Sequence, residues 1–405
     1  MSTAKVSIAR LASYEDEAAV SAALRAALQP LGGLGAFVSP GDRVLLKVNL
    51  LAPAKPEEAV TTHPAVVRAM IREARAAGAA VVKVGDGPGV GTTLENMRAC
   101  GMDRVCQEEG AQIAVFEETA QYDNPENTIG KRLALTSHLR DVDVLITMPK
   151  LKTHVQMGYS GALKNQYGLI PGTMKAEYHF RLQDRDLLCD LMIDINCTAK
   201  VKLAVMDAVE GMEGPGPHGG TPRHIGLLMA SADLTAMDCV ACRIIGLDPE
   251  RNPLVMAAMR RHYGTASRGD IEVVGVESPE RLRLADYKLV KMPVNIMKIL
   301  PLPQWLLRWL RRQLADRPVI DRSKCIRCLK CRNGCPVRPA AIDPIRNGGD
   351  GVDHRTCIRC YCCHEFCPVN AIELKRSMVE RIFHLKAIGA LGCRMLGRVA
   401  AIFKR

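Results

Sequence analysis

Arg43-Val-Leu-Leu-Lys-Val-Asn-Leu-Leu51 is followed by Thr62-His-Pro-Ala-Val-Val-Arg-Ala-Met-Ile-Arg-Glu-Ala-Arg-Ala-Ala-Gly78 and then by Ala80-Val-Val-Lys-Val-Gly85. The outer two runs are short and almost continuously apolar, the form of strands buried on both faces. The middle run has apolar residues at helical spacing. Thr62 is placed to cap it, Pro64 lies in its first turn and Gly78 follows its end. Strand, helix, strand is the unit of a parallel sheet. Outward from it, the spacing predicts a helix from Thr93 to Gly110 and short buried strands at Asp143–Met148, Lys202–Asp207 and Ile225–Ala230. Residues 1–285 are therefore expected to form an α/β layered domain with a largely parallel sheet.

The chain has 405 residues, 48% hydrophobic and 24% charged, which excludes wholesale disorder and collagen-like repeats. Aromatics at 4% argue against a base-stacking surface. The start lacks the apolar core of a secretory signal, and no run of about 18 apolar residues could span a membrane. A cytoplasmic protein is expected. In that setting 16 cysteines read as metal ligands rather than as a disulfide framework.

Two blocks carry the strongest chemical signal. Cys325-Ile-Arg-Cys328-Leu-Lys-Cys331-Arg-Asn-Gly-Cys335-Pro336 and Cys357-Ile-Arg-Cys360-Tyr-Cys-Cys363-His-Glu-Phe-Cys367-Pro368 both follow C-x2-C-x2-C-x3-C-P. Thiolates in such a run hold a [4Fe–4S] cluster with their first three cysteines, and the fourth reaches the cluster of the other half. Cluster one would use Cys325, Cys328, Cys331 and Cys367; cluster two would use Cys357, Cys360, Cys363 and Cys335. Zinc is the alternative for sulfur ligands, although its sites usually show paired C-x2-C blocks. Residues 322–373 resemble a bacterial two-[4Fe–4S] ferredoxin domain, a small α+β module. The exit after Pro336 is two residues longer than the one after Pro368, and Cys362 is extra. Cys239 and Cys242 form another C-x2-C, but in an apolar helical run where packing is the simpler role.

Weaker signals gather where strands end, the place at which open α/β sheets put their ligands. Lys47 and Asn49 close the first long strand, and His63 opens the next helix. Asp86 lies in Gly85-Asp-Gly-Pro-Gly-Val-Gly91, a glycine turn whose N–H groups could cradle an anion. Lys150, Lys152 and His154 follow the Asp143–Met148 strand, with Lys164 and Asn165 close behind; Asp207 opens a glycine-rich stretch, and His179 stands alone. On one reading Lys47, Lys150, Lys152 and Lys164 hold an anionic substrate and Asn49 and Asn165 orient it. His63, His154 or His179 then supplies a proton, and Asp86 and Asp207 fix those groups or bind a cation. On the plainer reading each lysine is a solvated charge. No Walker, H-E-x-x-H or G-x-S-x-G sequence is present.

Lys47-Val-Asn-Leu, Thr62-His-Pro, Gly85-Asp-Gly-Pro-Gly, Pro149-Lys-Leu-Lys-Thr-His154, Ser160-Gly-Ala-Leu-Lys-Asn165, Asp207-Ala-Val-Glu-Gly and Asp233-Leu-Thr-Ala-Met-Asp238 occur in that order. Together they resemble the prokaryotic family catalogued as domain of unknown function 362, over about residues 4–280. The resemblance implies the α/β domain and its fusion to a ferredoxin-like module, and it implies no reaction.

Charge is uneven. Residues 1–285 hold 31 Lys/Arg against 34 Asp/Glu, and residues 286–405 hold 24 against 9. Residues 286–321 read as a Pro-containing basic linker with a short helix. Residues 374–405 read as a basic amphipathic helical tail, either packed on the protein or in peripheral contact with an anionic membrane at its inner face. No nucleic-acid fold accompanies the charge. The expected function is an iron–sulfur oxidoreductase that passes single electrons from two [4Fe–4S] clusters to a small anionic substrate or a redox partner protein. The alternatives are an electron-transfer or assembly protein with no chemistry of its own, and a metal-dependent or transferase-like enzyme with structural or sensing clusters.

Overall fold

The computed structural model describes residues 3–172, 174–276, 281–290, 292, 315–346 and 349–376. The chain divides into two units, residues 1–290 and 291–405. The helix expected within 304–314 and nearly all of the expected tail lie outside the described residues.

Unit one is built on strands β1 (Ala4–Arg10), β2 (Arg43–Lys47), β3 (Val81–Asp86), β4 (Gln112–Val115), β5 (Thr119–Asp123), β6 (Arg132–Thr136), β7 (Val144–Thr147), β8 (Lys150–His154), β9 (Gly158–Ser160), β10 (Leu203–Glu213), β11 (Thr221–Ser231) and β12 (Ile271–Val274). The main sheet runs β12-β1-β11-β10-β7-β2-β3-β4, with β8 and β9 attached beside β10; β5 and β6 form a separate hairpin. Along that row only β11 is antiparallel to its neighbours. The unit is thus an α/β layered fold with a mostly parallel mixed sheet.

Helices α1 (Glu17–Leu28), α2 (Pro64–Ala76), α3 (Thr93–Cys100) and α4 (Met102–Glu108) cover one face. Leu24 and Leu28, Met70 and Ile71, and Met97 pack there against Val44, Leu46 and Ile146. The apolar stripe that predicts α2 is the face it buries. Its N-cap is His63, not Thr62: the His63 ring accepts from Ala65 N–H. Thr62 instead accepts from Asn49 N–H and donates to Met148 O. The helix expected over 93–110 is two helices, because Gly101 adopts φ +74° and ends the first. Beyond these come α5 (Ala162–Asn165), α6 (Met174–Arg181), α7 (Arg185–Ala199), α8 (Leu234–Ile244) and α9 (Pro253–Arg260).

The sheet has a switch point. From β2 the chain passes through α2 to β3 and on to β4, then returns to place β7 on the other side of β2. Lys47 is in register with Gly85 on one side and Thr147 on the other. Such reversals leave a crevice at the carboxyl ends of the strands.

In unit two, β13 (Arg317–Ile320) pairs antiparallel with β14 (Ile372–Lys375). Thus the last residues of the expected linker form a strand of this unit. Its first residues belong to unit one, where the Tyr287 hydroxyl donates to Met212 O. The sequence repeat is also a backbone repeat. Helical turns Lys330–Asn333 and Cys362–Glu365 occupy matching places. Before them, Arg327 and Arg359 adopt φ 55° and 59°, and Leu329 and Tyr361 adopt 62° and 60°. Four non-glycine residues in the left-handed region cost about 1–3 kcal/mol each, and such strain gathers at functional sites. Gly334 is required where it stands, since a Cβ would lie 2.2 Å from the Phe366 ring.

Candidate functional site

The crevice at the switch point is filled by buried ion pairs. Val44 and Leu46 face the α1–α2 core, so strand alternation turns Leu45 and Lys47 to the other face. There Lys47 Nζ meets Asp86 Oδ1 at 2.7 Å with both side chains buried. It also donates to Asn165 Oδ1 at 3.0 Å and to Val48 O at 2.9 Å. Asp86 holds the neighbouring backbone too, accepting from Leu50 N–H. Asn165 spans the switch point, donating to Thr147 Oγ1 from β7 and to Lys47 O from β2. Asn49 joins Asn165 to Lys152: it donates to Asn165 Oδ1 at 3.1 Å and accepts from Lys152 Nζ at 2.6 Å. Gly168 closes over the pair, for a Cβ there would lie 2.1 Å from Asp86 Oδ1.

A second network lies beside it. On β8 alternation puts Lys150, Lys152 and His154 on one face. Lys150 Nζ donates to Asp207 Oδ2 at 2.9 Å, both side chains wholly buried. Asp207 also accepts from the Tyr14 hydroxyl at 2.6 Å and from His63 N–H at 2.9 Å. The Tyr14 and His63 rings stack at 3.6 Å. His154 Nδ1 accepts from Gln156 and Met157 N–H in the turn after β8.

Burial sets the charges. It pushes Lys152 well below the usual lysine range, and Lys164 adds to that, with Asp86 opposing. Lys47 is lowered for the same reason against the pull of Asp86. Lys175, whose Nζ donates to Gly87 O and Pro88 O, falls to about 8, chiefly through burial. Burial alone would raise Asp207; Lys150, the Tyr14 hydroxyl and His63 N–H outweigh it and hold the carboxyl low. Lys164 rides on α5, whose first N–H groups are held by Asp238. Ala162 and Leu163 N–H donate to that carboxylate at 2.7 and 3.0 Å, and burial raises it to about 7.

Tyr14 and Lys175 are site residues that motif reading does not single out, whereas Asp238 closes the Asp233–Asp238 block. Tyr14 had a signal, since it follows β1 directly in a strand-to-helix loop. Lys175 had none, lying in a helix remote from any strand end. The glycine turn at Gly85–Gly91 is not an anion cradle: Gly87 N–H goes to Gly168 O, and Gly89 and Val90 N–H go to Leu51 O. The glycine-rich stretch after Asp207 is largely strand, because β10 continues to Glu213.

His63 and His179 are each lowered to about 4, first by burial. Their unfolded value is near 6.5, so they stay neutral in the fold where the unfolded chain takes up protons. The stability they add is full above about pH 6.5 and is lost as pH falls through 4. Against wild type, the double variant His63→Gln/His179→Gln should lose roughly 2–3 kcal/mol less stability per histidine between pH 7 and 4.5. Urea unfolding at the two pH values measures it; parallel pH profiles would reject the claim.

In unit two, Cys335, Cys357, Cys360 and Cys363 line one pocket, with Pro318, Val337, Ile342 and Tyr361 among its walls. Three of these thiols come from the second motif and one from the first. Electrostatic neighbours divide in part the same way, although Cys331 acts on Cys363 as well. Burial pushes the Cys331 thiol up to about 12, helped by Cys367, Cys325 and Cys328. Cys357 is raised by burial and by Cys360 and Cys335. Ala371 N–H donates to Cys367 Sγ at 3.1 Å. The thiols surround a volume instead of meeting at a point; among the described residues no three His, Cys, Asp or Glu converge on one ion site. Soft sulfur donors around such a space fit an iron–sulfur cage. Cys239 and Cys242 are buried in α8 with their thiols raised, a packing role.

The profile of the family described as Domain of unknown function (DUF362) matches residues 44–243. A thylakoid-associated protein of Synechocystis sp. is 34% identical over 293 residues, covering 72% of this chain and 89% of that protein. The chain belongs to the DUF362 family. The family match takes in Lys47, Asp86, Lys150 and Asp207, so both buried pairs lie inside it. Two solved structures are more distantly similar. The lactate racemase apoprotein from Thermoanaerobacterium thermosaccharolyticum is 16% identical with a TM-score of 0.36, over 59% of this chain and 56% of that one. A Thermotoga maritima protein is 15% identical with a TM-score of 0.34, over 54% of this chain and 56% of that one. The chain spans a little over half the length of each. No helix among the described residues is long and apolar enough to cross a membrane.

Proposed function

We propose that this protein is an iron–sulfur oxidoreductase whose eight motif cysteines hold two [4Fe–4S] clusters in crossed quartets and whose α/β crevice binds an anion. The observation that carries the reading is the single cavity lined by Cys335 together with Cys357, Cys360 and Cys363. When bound, the clusters supply single electrons. The chain's own residues do the rest. Five lysines (47, 150, 152, 164 and 175) act on one another, and the carboxylates that face them are Asp86 and Asp207. That excess suits a ligand with two or more negative charges, such as a dicarboxylate or a phosphate ester. Neutral His63, its Nδ1 engaged by Ala65 N–H, keeps Nε2–H as the donor that could face a ligand oxygen.

One observation favours a second reading, an electron-transfer or assembly protein without its own chemistry. Lys47, Lys150 and Lys152 are at most 1% exposed, so the crevice is sealed. A thylakoid-associated relative also fits work beside a membrane, with a peripheral contact made through 374–405.

Oxygen-free purification and reconstitution tests the first part. Iron and acid-labile sulfide should appear in about equal amounts, roughly four of each per quartet. Zinc, or iron without sulfide, would overturn it. Reduced protein is then mixed with dicarboxylates and phosphate esters. Substrate-dependent reoxidation supports the oxidoreductase; reoxidation by carrier proteins alone supports the second reading.

A further inference from the structure

The two halves of unit two share the sequence Cys-Ile-Arg-Cys, yet they differ in surroundings. In the second half Ile358 is half-buried and Arg359 is 3% exposed, its guanidinium donating to His354 Nδ1 at 2.8 Å while His354 Nε2 meets Asp350 at 2.6 Å. Tyr361 and Cys362, which follow, are buried. In the first half the matching residues face water. Ile326 is 61% exposed, Arg327 and Cys328 are exposed, and so is Lys330. Identical residues in one repeat have been given opposite environments. An exposed isoleucine beside an exposed cluster ligand has no packing role to explain it.

Charge gives the face its character. Residues 322–340 contain no Asp or Glu, while Arg322, Lys324, Arg327, Lys330, Arg332 and Arg338 are all exposed. Some are engaged: Lys324 bonds Asp321 and Glu373, and Arg332 lies 3.6 Å from Asp343. Among the described residues Arg327 and Lys330 have no ionic partner, and they flank Cys328. Arg322 donates to the carbonyls of Pro344 and Arg346, which ties the segment bearing Ile345, 55% exposed, to the same half. A small apolar centre flanked by two cations without an ionic partner, in a segment with no acidic residue, is the form of a transient, electrostatically steered docking face.

We infer that residues 322–338 are the docking face for an acidic single-electron carrier protein, which exchanges electrons with the cluster held by Cys325, Cys328, Cys331 and Cys367. The inference rests on the iron–sulfur reading proposed above. One electron leaves the reduced cluster and one enters the oxidised carrier, with no bond made or broken and no proton required. Exposure of Cys328 shortens the path, and Arg327 and Lys330 hold acidic groups of the carrier around it. In the second half Arg359 is buried and no motif cysteine is as exposed as Cys328, so the matching cation cannot meet a partner there.

The test uses full-length protein reconstituted without oxygen, with iron and sulfide measured first. Absence of clusters would sink the proposed function; the docking claim is judged only on protein that holds them. Reduced protein is mixed in a stopped-flow instrument with oxidised acidic [2Fe–2S] ferredoxin, and separately with oxidised basic cytochrome c. Reoxidation by the acidic carrier should slow by about tenfold or more between 20 mM and 500 mM salt. Arg327→Glu/Lys330→Glu should be about tenfold slower at low salt and equal to wild type at high salt. Arg355→Glu, an exposed cation of the second half, should change neither rate. If the double variant loses its cluster, Arg327→Gln/Lys330→Gln serves, with a smaller effect in the same direction. Calorimetry with both partners oxidised, where no electron moves, should show weaker binding in the same variants. Salt-independent exchange with the ferredoxin, faster exchange with the cytochrome, or unchanged binding in the charge-reversed protein would each overturn the inference.

Discussion

Cys335→Ser should lose the same cluster as Cys357→Ser, although Cys335 belongs to the other motif. On the crossed assignment, each variant keeps roughly half the iron and sulfide of the wild type. Cys331→Ser should lose the partner cluster instead. The doubles decide the matter. Cys335→Ser/Cys357→Ser should be no worse than either single, while Cys335→Ser/Cys331→Ser should lose both clusters. Motif-by-motif ligation predicts the reverse pairing. Iron and sulfide analysis with low-temperature electron paramagnetic resonance of the reduced protein reads the outcome. The effect on folding should also be large. Among the described residues, Cys331, Cys335, Cys363 and Cys367 cluster with Ile320, Ala341, Ile342, Ala371 and Ile372 in the apolar centre of unit two. Thiols at the middle of a core make its stability depend on what they hold. Loss of both clusters should therefore leave it open to limited proteolysis while unit one stays resistant.

How far the primary structure reveals all this depends on the range of the interactions. Arg43–Lys47 and Val81–Asp86 are recognisable as strands because a parallel strand is apolar on both faces and needs no partner to declare itself, but the expected run to Leu51 leaves the sheet after Lys47. The length of β10 is hidden: after Asp207 the composition turns to Gly and Pro, yet β11 pairs with it as far as Glu213 opposite Thr221. The break at Gly101 turns on one left-handed residue inside an otherwise helical pattern. At the crevice, residue types are legible and pairings are not. Lys150 finds Asp207 across 57 positions and Lys47 finds Asn165 across 118. Lys47 and Asn165 meet at the switch point between β2 and β7, and Lys150 meets Asp207 where β8 pairs with β10. Tyr14 belongs with them through a bond to Asp207 across 193 positions, and no local pattern announces that.

Asp207→Asn should be the most damaging single change in unit one. The carboxylate takes Lys150 Nζ, the Tyr14 hydroxyl and His63 N–H in a place fully shut off from water. An amide presents one acceptor where four donors converge, Val209 N–H being the fourth, and its NH₂ faces the Lys150 ammonium. Removing one partner of a buried ion pair costs about 3–5 kcal/mol, because the charge left behind stays buried. For a domain of this size that corresponds to a fall in Tm of about 10 °C. Taking away both charges should cost less. Asp207→Leu/Lys150→Met replaces the pair with apolar groups and should recover more than half of the loss, with Tyr14→Phe removing the last unsatisfied hydroxyl. Calorimetric melting of these proteins, with Asp207→Leu and Lys150→Met measured singly, gives the coupling. A loss below about 1 kcal/mol in Asp207→Asn would mean that water reaches Lys150 and that the crevice opens in solution. That outcome would favour the catalytic reading over the sealed one, since a ligand could then enter by the route the water uses.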